Sequence, residues 1–446
     1  VHEHLSDAEL ARFATDPYSV STERRQAIEQ ECATCSICRT SLDFFSVVDV
    51  EDLAELDVSE PEDQMRSYVE RIAREDAEAD ELLAERKFLS SAMKTAFTNL
   101  QSDKRLLNGG IVRRLCAHAN SICESEPLDA LTFADAAISV AETLPDETYP
   151  WNAVFELRGT AWKERANAFL MLGKFPSALD ALIHAERAYQ HLREPSFGLS
   201  TVALVRASVL YEQGLLDDAM ASAKRAEYGF AHIGQEERRM RALFLRASIS
   251  YEAGDVSRAV PLFQQVIEHG EAVNNERWVA RGSYAAGNCE WKRGNLAYAS
   301  MLFHKALLIF RKIGPEGDRL ATEWGLARVV LHGGNRSEAI RRLRNVAEGF
   351  ERASMITDGA LAWLEIVDTL LAMGHSKQVG DIAARLFRIF KDAGMIPGEL
   401  AAVAYLKEAA TQGKLTPRGV EAVRNYLRRA QRQPELVFEL PPELSR

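Results

Sequence analysis

RGSYAAGNCEWKRGNLAYASMLFHKA, residues 281–306, sets Gly287 seven residues before Gly294, Ala299 five after it and Ala306 a further seven on. The same frame surrounds Gly173, Gly214, Gly254, Gly334 and Gly374, and the six glycines stand 41, 40, 40, 40 and 40 residues apart. Seven before the other five lie Ala166, Ala207, Ala247, Ala327 and Val367, and five after them Ala178, Ala219, Ala259, Ala339 and Val379. One heptad further come Ala185, Ala226, Val266, Val346 and Leu386. Small residues at helical spacing let two helices approach closely, and glycine accepts the positive φ of a tight turn. The pattern therefore reads helix, turn, helix. One such unit cannot bury its apolar face alone, so neighbouring units stack to make a core.

This frame resembles the tetratricopeptide repeat, in which small residues sit midway along the first helix and at two places on the second, with a glycine before the inter-helix turn closes. The resemblance covers roughly residues 150 to 395. A tetratricopeptide unit is about 34 residues long and HEAT or armadillo units about 40 to 47; the small-residue spacing favours the former, and the extra residues are assigned to longer helices. The resemblance implies an all-α chain whose bulk is a right-handed α-solenoid of helix pairs with a period of about 40 residues. The sixth unit, with Val367 and Val379, is degenerate, as a terminal repeat can be. The chain is thus divided into an N-terminal head (1–45), acidic linker helices (46–100), an irregular capping helix pair (101–148), the repeat array (149–395), C-terminal capping helices (396–433) and a tail (434–446).

Composition agrees. At 446 residues, 47% hydrophobic and 27% charged, the chain can bury an ample core, and strand-like alternation is nearly absent. No apolar run approaches the roughly 18 to 20 residues of a membrane span, and no basic-then-apolar signal peptide opens the sequence. The expectation is a cytoplasmic protein that does not engage a membrane.

Charge is uneven. Residues 49–85 hold 15 acidic and 3 basic residues, which leaves the remainder near neutrality against the total of −11. Ser59-Glu60-Pro61-Glu62 opens a helix there, with Ser59 as N-cap and Glu62 at the capping-box position. Met65, Tyr68, Val69, Ile72, Leu82 and Leu83 line one side. Two readings stand: a solvated linker helix, or a helix that docks on a basic protein surface, the array's own included. Direct nucleic-acid binding through bulk charge is not expected.

The N-terminus carries a second signal. Cys32, Cys35 and Cys38 fall within seven residues, and the two-residue spacing of Cys35 and Cys38 lets two thiolates meet one Zn²⁺ at a helix start. With the early His4 the stretch resembles the zinc-binding anti-sigma domain, a small helical head whose pattern is an early His followed by His-x3-Cys-x2-Cys. Here the position four before Cys35 is Glu31 rather than histidine. Either Cys32 substitutes, giving the set His4, Cys32, Cys35 and Cys38, or Glu31 supplies an oxygen; soft thiolate favours Cys32, and His2 is an alternate for His4. Four protein ligands would make this a structural metal, worth on the order of 10 to 16 kcal/mol in small zinc peptides. A head that has lost its metal, or a thiol switch, are the alternatives.

Under the tetratricopeptide alignment, first-helix residues three, six, ten and thirteen before each glycine face the concave groove. These positions supply Asn167, Tyr211, Arg241, Phe244, Tyr251, Arg281, Tyr284, Asn288, Trp291, Trp324 and Arg328. An aromatic ladder edged by arginine and amide groups suits an extended peptide or a helix; the competing reading makes these rings ordinary core of longer helices. Catalysis finds no support: the chain has no Gly-rich phosphate loop, Gly-x-Ser-x-Gly elbow or His-Glu-x-x-His helix. The sequence thus points to a non-enzymatic, transcription-linked regulator whose head sequesters a sigma-type partner, as the resemblance implies, or to a scaffold whose head is a structural cap.

Overall fold

The computed structural model describes residues 10, 13, 21–34, 39, 42, 61–85, 104–144, 153–190, 197–430 and 436–440, and no strand occurs among them. The chain divides into two compact units, Val1–Leu245 and Arg246–Arg446.

The first unit begins with α1 (Thr22–Thr34) and α2 (Pro61–Glu85). It continues with α3 (Gly109–Ile122), α4 (Pro127–Ala141), α5 (Ala153–Met171), α6 (Phe175–Tyr189), α7 (Phe197–Glu212), α8 (Leu216–His232) and the start of α9 (Glu236–Glu252). In α1, Ile28 and Cys32 are buried, and Arg39 Nε donates to the Cys32 carbonyl oxygen at 2.9 Å, covering an orphan acceptor of the last turn. Of the acidic segment, Ser59 lies outside the described residues. α2 packs on α3, where Ile72, Ala79 and Leu83 join Ile111, Val112 and Leu115 in one core.

Charge follows packing at this contact. Arg113 Nε donates to Asp76 at 2.8 Å and its Nη2 reaches Glu75 at 3.3 Å, while Arg114 grips Asp80 through two bonds of 2.7 and 2.8 Å. The part of the acidic segment described here is therefore a docked helix rather than a solvated one. Its partner within this unit is α3. Arg113 and Arg114 are adjacent on α3, and α2 supplies carboxylates at 76 and 80, one helical turn apart, to meet both.

The second unit holds the rest of α9, then α10 (Val256–Ala272), α11 (Glu276–Lys292), α12 (Leu296–Ile313), α13 (Glu316–His332), α14 (Arg336–Arg352), α15 (Ile356–Ala372), α16 (Ser376–Asp392), α17 (Pro397–Thr411) and α18 (Pro417–Ala430). The long period resolves into helices of 17 residues, as in α10 and α11, separated by turns of three. The extra length lies in the helices.

Each turn has the same construction. Gly254 and Gly294 both sit at φ 80°, and the next N–H, of Asp255 or Asn295, donates back to Ser250 or Glu290 at 2.9 Å. This is the Schellman ending, which satisfies carbonyls that a helix end leaves orphaned. Space around these glycines is open, so the backbone conformation and not crowding selects glycine. A second series of turns, from each pair to the next, repeats the geometry at Gly234, Asn274, Ser354 and Gly394, all with positive φ. At the same register Gly314 has φ −88°, because Pro315 follows and has no N–H to donate.

The small-residue frame is the helix contact. Ala247, Ala259, Ala299, Ala306, Ala327 and Ala339 are fully buried, and a Cβ on Gly287 would stand 2.8 Å from the Phe303 ring. Phe310, Phe350 and Phe390, each sixteen residues after a turn glycine, fill the layers between. At the end of this unit α18 lies against α15 and α17. The tail adds to it: Tyr426 donates to the Leu436 carbonyl at 2.8 Å, and the Phe438 ring meets Tyr426 edge-on at 5.2 Å.

Candidate protein-binding groove

In the second unit the residues named by spacing converge. Tyr251, Tyr284, Asn288, Trp291 and Arg328 are half-buried, as groove walls are, while Trp324 is 9% exposed. Their contacts form one cluster. The Arg328 guanidinium stands 4.2 Å from the Trp324 ring centroid and 5.4 Å from that of Trp291, and the His332 ring stacks with Trp291 at 5.2 Å. Tyr284 is hydrogen-bonded to Asn288 and leans on Phe303, and the Lys292 ammonium lies 3.6 Å from the Tyr251 centroid. Burial raises the pKa of both phenols, so they remain neutral donors.

One assignment changes. Arg328 was expected to face a ligand carboxylate, but Glu365 of α15 takes it: Glu365 Oε1 accepts from Arg328 Nε at 2.8 Å, and Oε2 from Trp324 Nε1 at 3.0 Å. Desolvation alone would lower the Arg328 pKa, and the Glu365 carboxylate outweighs it, leaving the value raised. Arg328 is thus a pillar that fixes two indoles rather than an open hand. Arg281 is exposed and lies 5.8 Å from the centroid of Trp278.

Sequence spacing does not find three further members. Glu365 is one, and α18 supplies the others. Arg424 pairs with Asp368 and donates to the carbonyl of the buried Leu364 at 3.4 Å. Arg428, one turn later, is accessible to solvent and has neither a hydrogen bond nor an ion pair among the described residues. The surrounding protein still desolvates it, and with the like charges of Arg328 and Arg424 this lowers its pKa, against the opposing pull of Glu365 and Glu252. Arg424 and Arg428 stand four residues apart outside any repeat, and that spacing is the one sequence signal for a shared face.

The first unit carries its own members of the pattern. Asn167 donates to the buried Glu164 at 2.9 Å, and Glu164 also pairs with Lys163. Tyr211 and Phe244 are half-buried, and Arg241 is exposed, paired with Glu237 at 3.0 Å. Of the expected metal ligands, Cys32 is buried on α1 and Glu31 lies beside it, while His2, His4, Cys35 and Cys38 lie outside the described residues. Among the described residues no group of three or more His, Cys, Asp or Glu side chains is placed to hold a metal ion. Cys289 is a core thiol of α11, its pKa pushed up to about 12 by burial. No described helix is long and apolar enough to cross a membrane.

No protein-family model matches the chain, and no curated protein matches it in sequence. Solved structures do match in fold. Aspartyl phosphate phosphatase F from Bacillus subtilis is similar at 13% identity and a TM-score of 0.50, over 87% of this chain and 96% of that one. NprR in complex with its cognate peptide NprX matches at 14% identity and a TM-score of 0.43, over 80% of this chain and 98% of that one. A signal-transduction ATPase with a tetratricopeptide repeat sensor from Pyrococcus horikoshii matches at 14% and 0.49, over 97% of this chain and 64% of that one. The chain is an all-α, tetratricopeptide-like helical-repeat protein.

Proposed function

We propose that this is a non-enzymatic regulator that works by binding protein, with a peptide or helix of the partner lying along the inner face of the second unit. The observation that carries the reading is the Trp291–Arg328–Trp324 stack held by Glu365, beside Tyr251, Tyr284 and Asn288. Half-buried rings fixed in place offer a large contact area at small entropy cost, and Asn288 keeps amide groups beyond its bond to Tyr284 for a ligand backbone. Selection from a random peptide library on the full chain tests it. Binders are expected, and Trp291→Ala should weaken them at least tenfold; binders indifferent to Trp291→Ala and Tyr251→Ala would place recognition elsewhere.

The finer reading gives the head a role of its own: an anti-sigma-like domain that holds Zn²⁺ through His4, Cys32, Cys35 and Cys38 and sequesters a sigma-type partner. The buried thiol of Cys32 is the supporting observation, since a structural ligand belongs on the inner side of its helix. The metal would supply a cross-link that a head of some 40 residues needs in place of a large core. One zinc per chain, lost when Cys32, Cys35 and Cys38 are replaced by Ala, is the expected result of elemental analysis. Reduced protein without zinc would leave the alternative, a scaffold with a relic head.

A further inference from the structure

Resting on the groove reading, we infer that the peptide bound by the second unit is acidic, and that Arg428 of α18 selects it by pairing with a glutamate or aspartate side chain.

Three observations converge, one on α18 and two on α11. The first is the imbalance of partners around Arg428. Arg328 and Arg424 each have a carboxylate, Glu365 and Asp368, in direct contact, whereas Arg428 has none among the described residues. It is open to solvent on α18, one turn from Arg424, and feels the like charges of Arg328 and Arg424 against the pull of Glu365 and Glu252. A guanidinium in that position is stabilised by an incoming anion, and Arg presents a planar fork that a carboxylate fits.

The second is a donor without an acceptor. Trp291 Nε1 is buried and makes no hydrogen bond, although its ring contacts both Arg328 and His332. Buried donors are normally satisfied, and an indole N–H beside a cationic guanidinium is matched by an acceptor that carries negative charge. The third is Lys292, which stands over Tyr251 with no carboxylate partner among the described residues and adds a second cation to the same cluster.

The wider charge agrees. Residues 246–446 hold 28 lysine and arginine residues against 23 acidic ones, although the whole chain is at −11. Within α2, Glu75, Asp76 and Asp80 are already engaged by Arg113 and Arg114. The occupant is a segment of another protein with acidic side chains spaced among apolar ones, the latter meeting Tyr251, Tyr284 and Trp291.

The test uses the full chain and two fluorescein-labelled, C-terminally amidated nonapeptide libraries, one with Glu fixed at the centre and one with Gln. Amidation removes the terminal carboxylate, so a preference for Glu reports a side chain. Binders should come from the Glu library, and Arg428→Ala should weaken them by about ten- to a hundredfold, as loss of a hydrogen bond to a charged group does. Arg428→Glu should turn the preference toward peptides with Lys in place of Glu. Arg428 is exposed, so these variants keep the fold, which the helical circular dichroism and melting temperature check. Equal recovery from both libraries with unchanged affinity for Arg428→Ala overturns the acidic specificity while leaving groove binding intact. Binders insensitive to both Arg428→Ala and Trp291→Ala overturn both.

Discussion

At the scale of single residues, the repeat glycines serve two different purposes. Gly294 sits at φ 80° in open space, so a methyl group meets nothing and the cost of Gly294→Ala is backbone strain alone. That is about 1 to 2 kcal/mol, measurable as a shift in the urea midpoint with an unchanged m-value. Gly287 is the reverse case: a helical residue whose methyl would stand 2.8 Å from the Phe303 ring. There Gly287→Ala should cost about 1 to 3 kcal/mol through overpacking, and Phe303→Leu in the same chain should recover part of it. If the two single variants respond alike to Phe303→Leu, this division is wrong.

Glu156 offers a second test at the same scale. Burial raises its carboxyl pKa from an ordinary 4.5 to about 7. Between those values the folded chain keeps a proton that the unfolded chain has released, so the unfolded state is favoured as pH rises. The stability contributed by the neutral acid is full below about 4.5 and is lost by about pH 7, a change of at most about 3 kcal/mol. Glu156→Gln should flatten that part of the stability-against-pH curve. A slope identical to that of the parent chain over pH 4.5 to 7 would contradict the assignment.

At the scale of elements, α2 is held by a contact that one methyl group can break. Gly110 lies against the Glu75 backbone carbonyl, closer than any Cβ could stand. Backbone cannot give way as a flexible side chain does, so Gly110→Ala should lift α2 from α3. Hydrogen exchange of residues 71–83 should then lose protection while that of α10 to α16 is unchanged. Retained protection in α2 would mean that the packing of Ile72, Ala79 and Leu83 reorganises around the methyl. The exposed Arg114–Asp80 pair adds little to this docking, because surface pairs are screened.

At the scale of the whole molecule, what could be read in advance was whatever has a local chemical signature. Positive φ after a helix selects glycine, so Gly254 and Gly294 mark the period in the sequence itself. The second turn series uses Gly234, Asn274, Ser354 and Gly394 for the same geometry, and that mixture hides its 40-residue spacing from a search for one residue type. The aromatic positions were drawn from the same register, each at a fixed offset from a turn glycine. What the spacing does not disclose is which neighbour neutralises which charge. Glu365 lies 37 residues beyond Arg328, on the adjacent first helix, and it converts Arg328 from a ligand contact into a support. Arg424 and Arg428 belong to a helix outside the repeats, where periodicity has nothing to align. The acidic helix shows the same limit, since its composition announces a basic partner but the identity of that partner, Arg113 and Arg114, follows from the packing of α2 on α3.

The central claim is that the second unit binds a partner along its inner face, between α11, α13 and α18. Hydrogen–deuterium exchange of the full chain with and without a saturating selected peptide tests it most directly. The account predicts added protection in residues 281–292, 321–332 and 420–430 together. Protection confined to the exposed side of α12, around Met301 and Leu308, with those three segments unchanged, would contradict it.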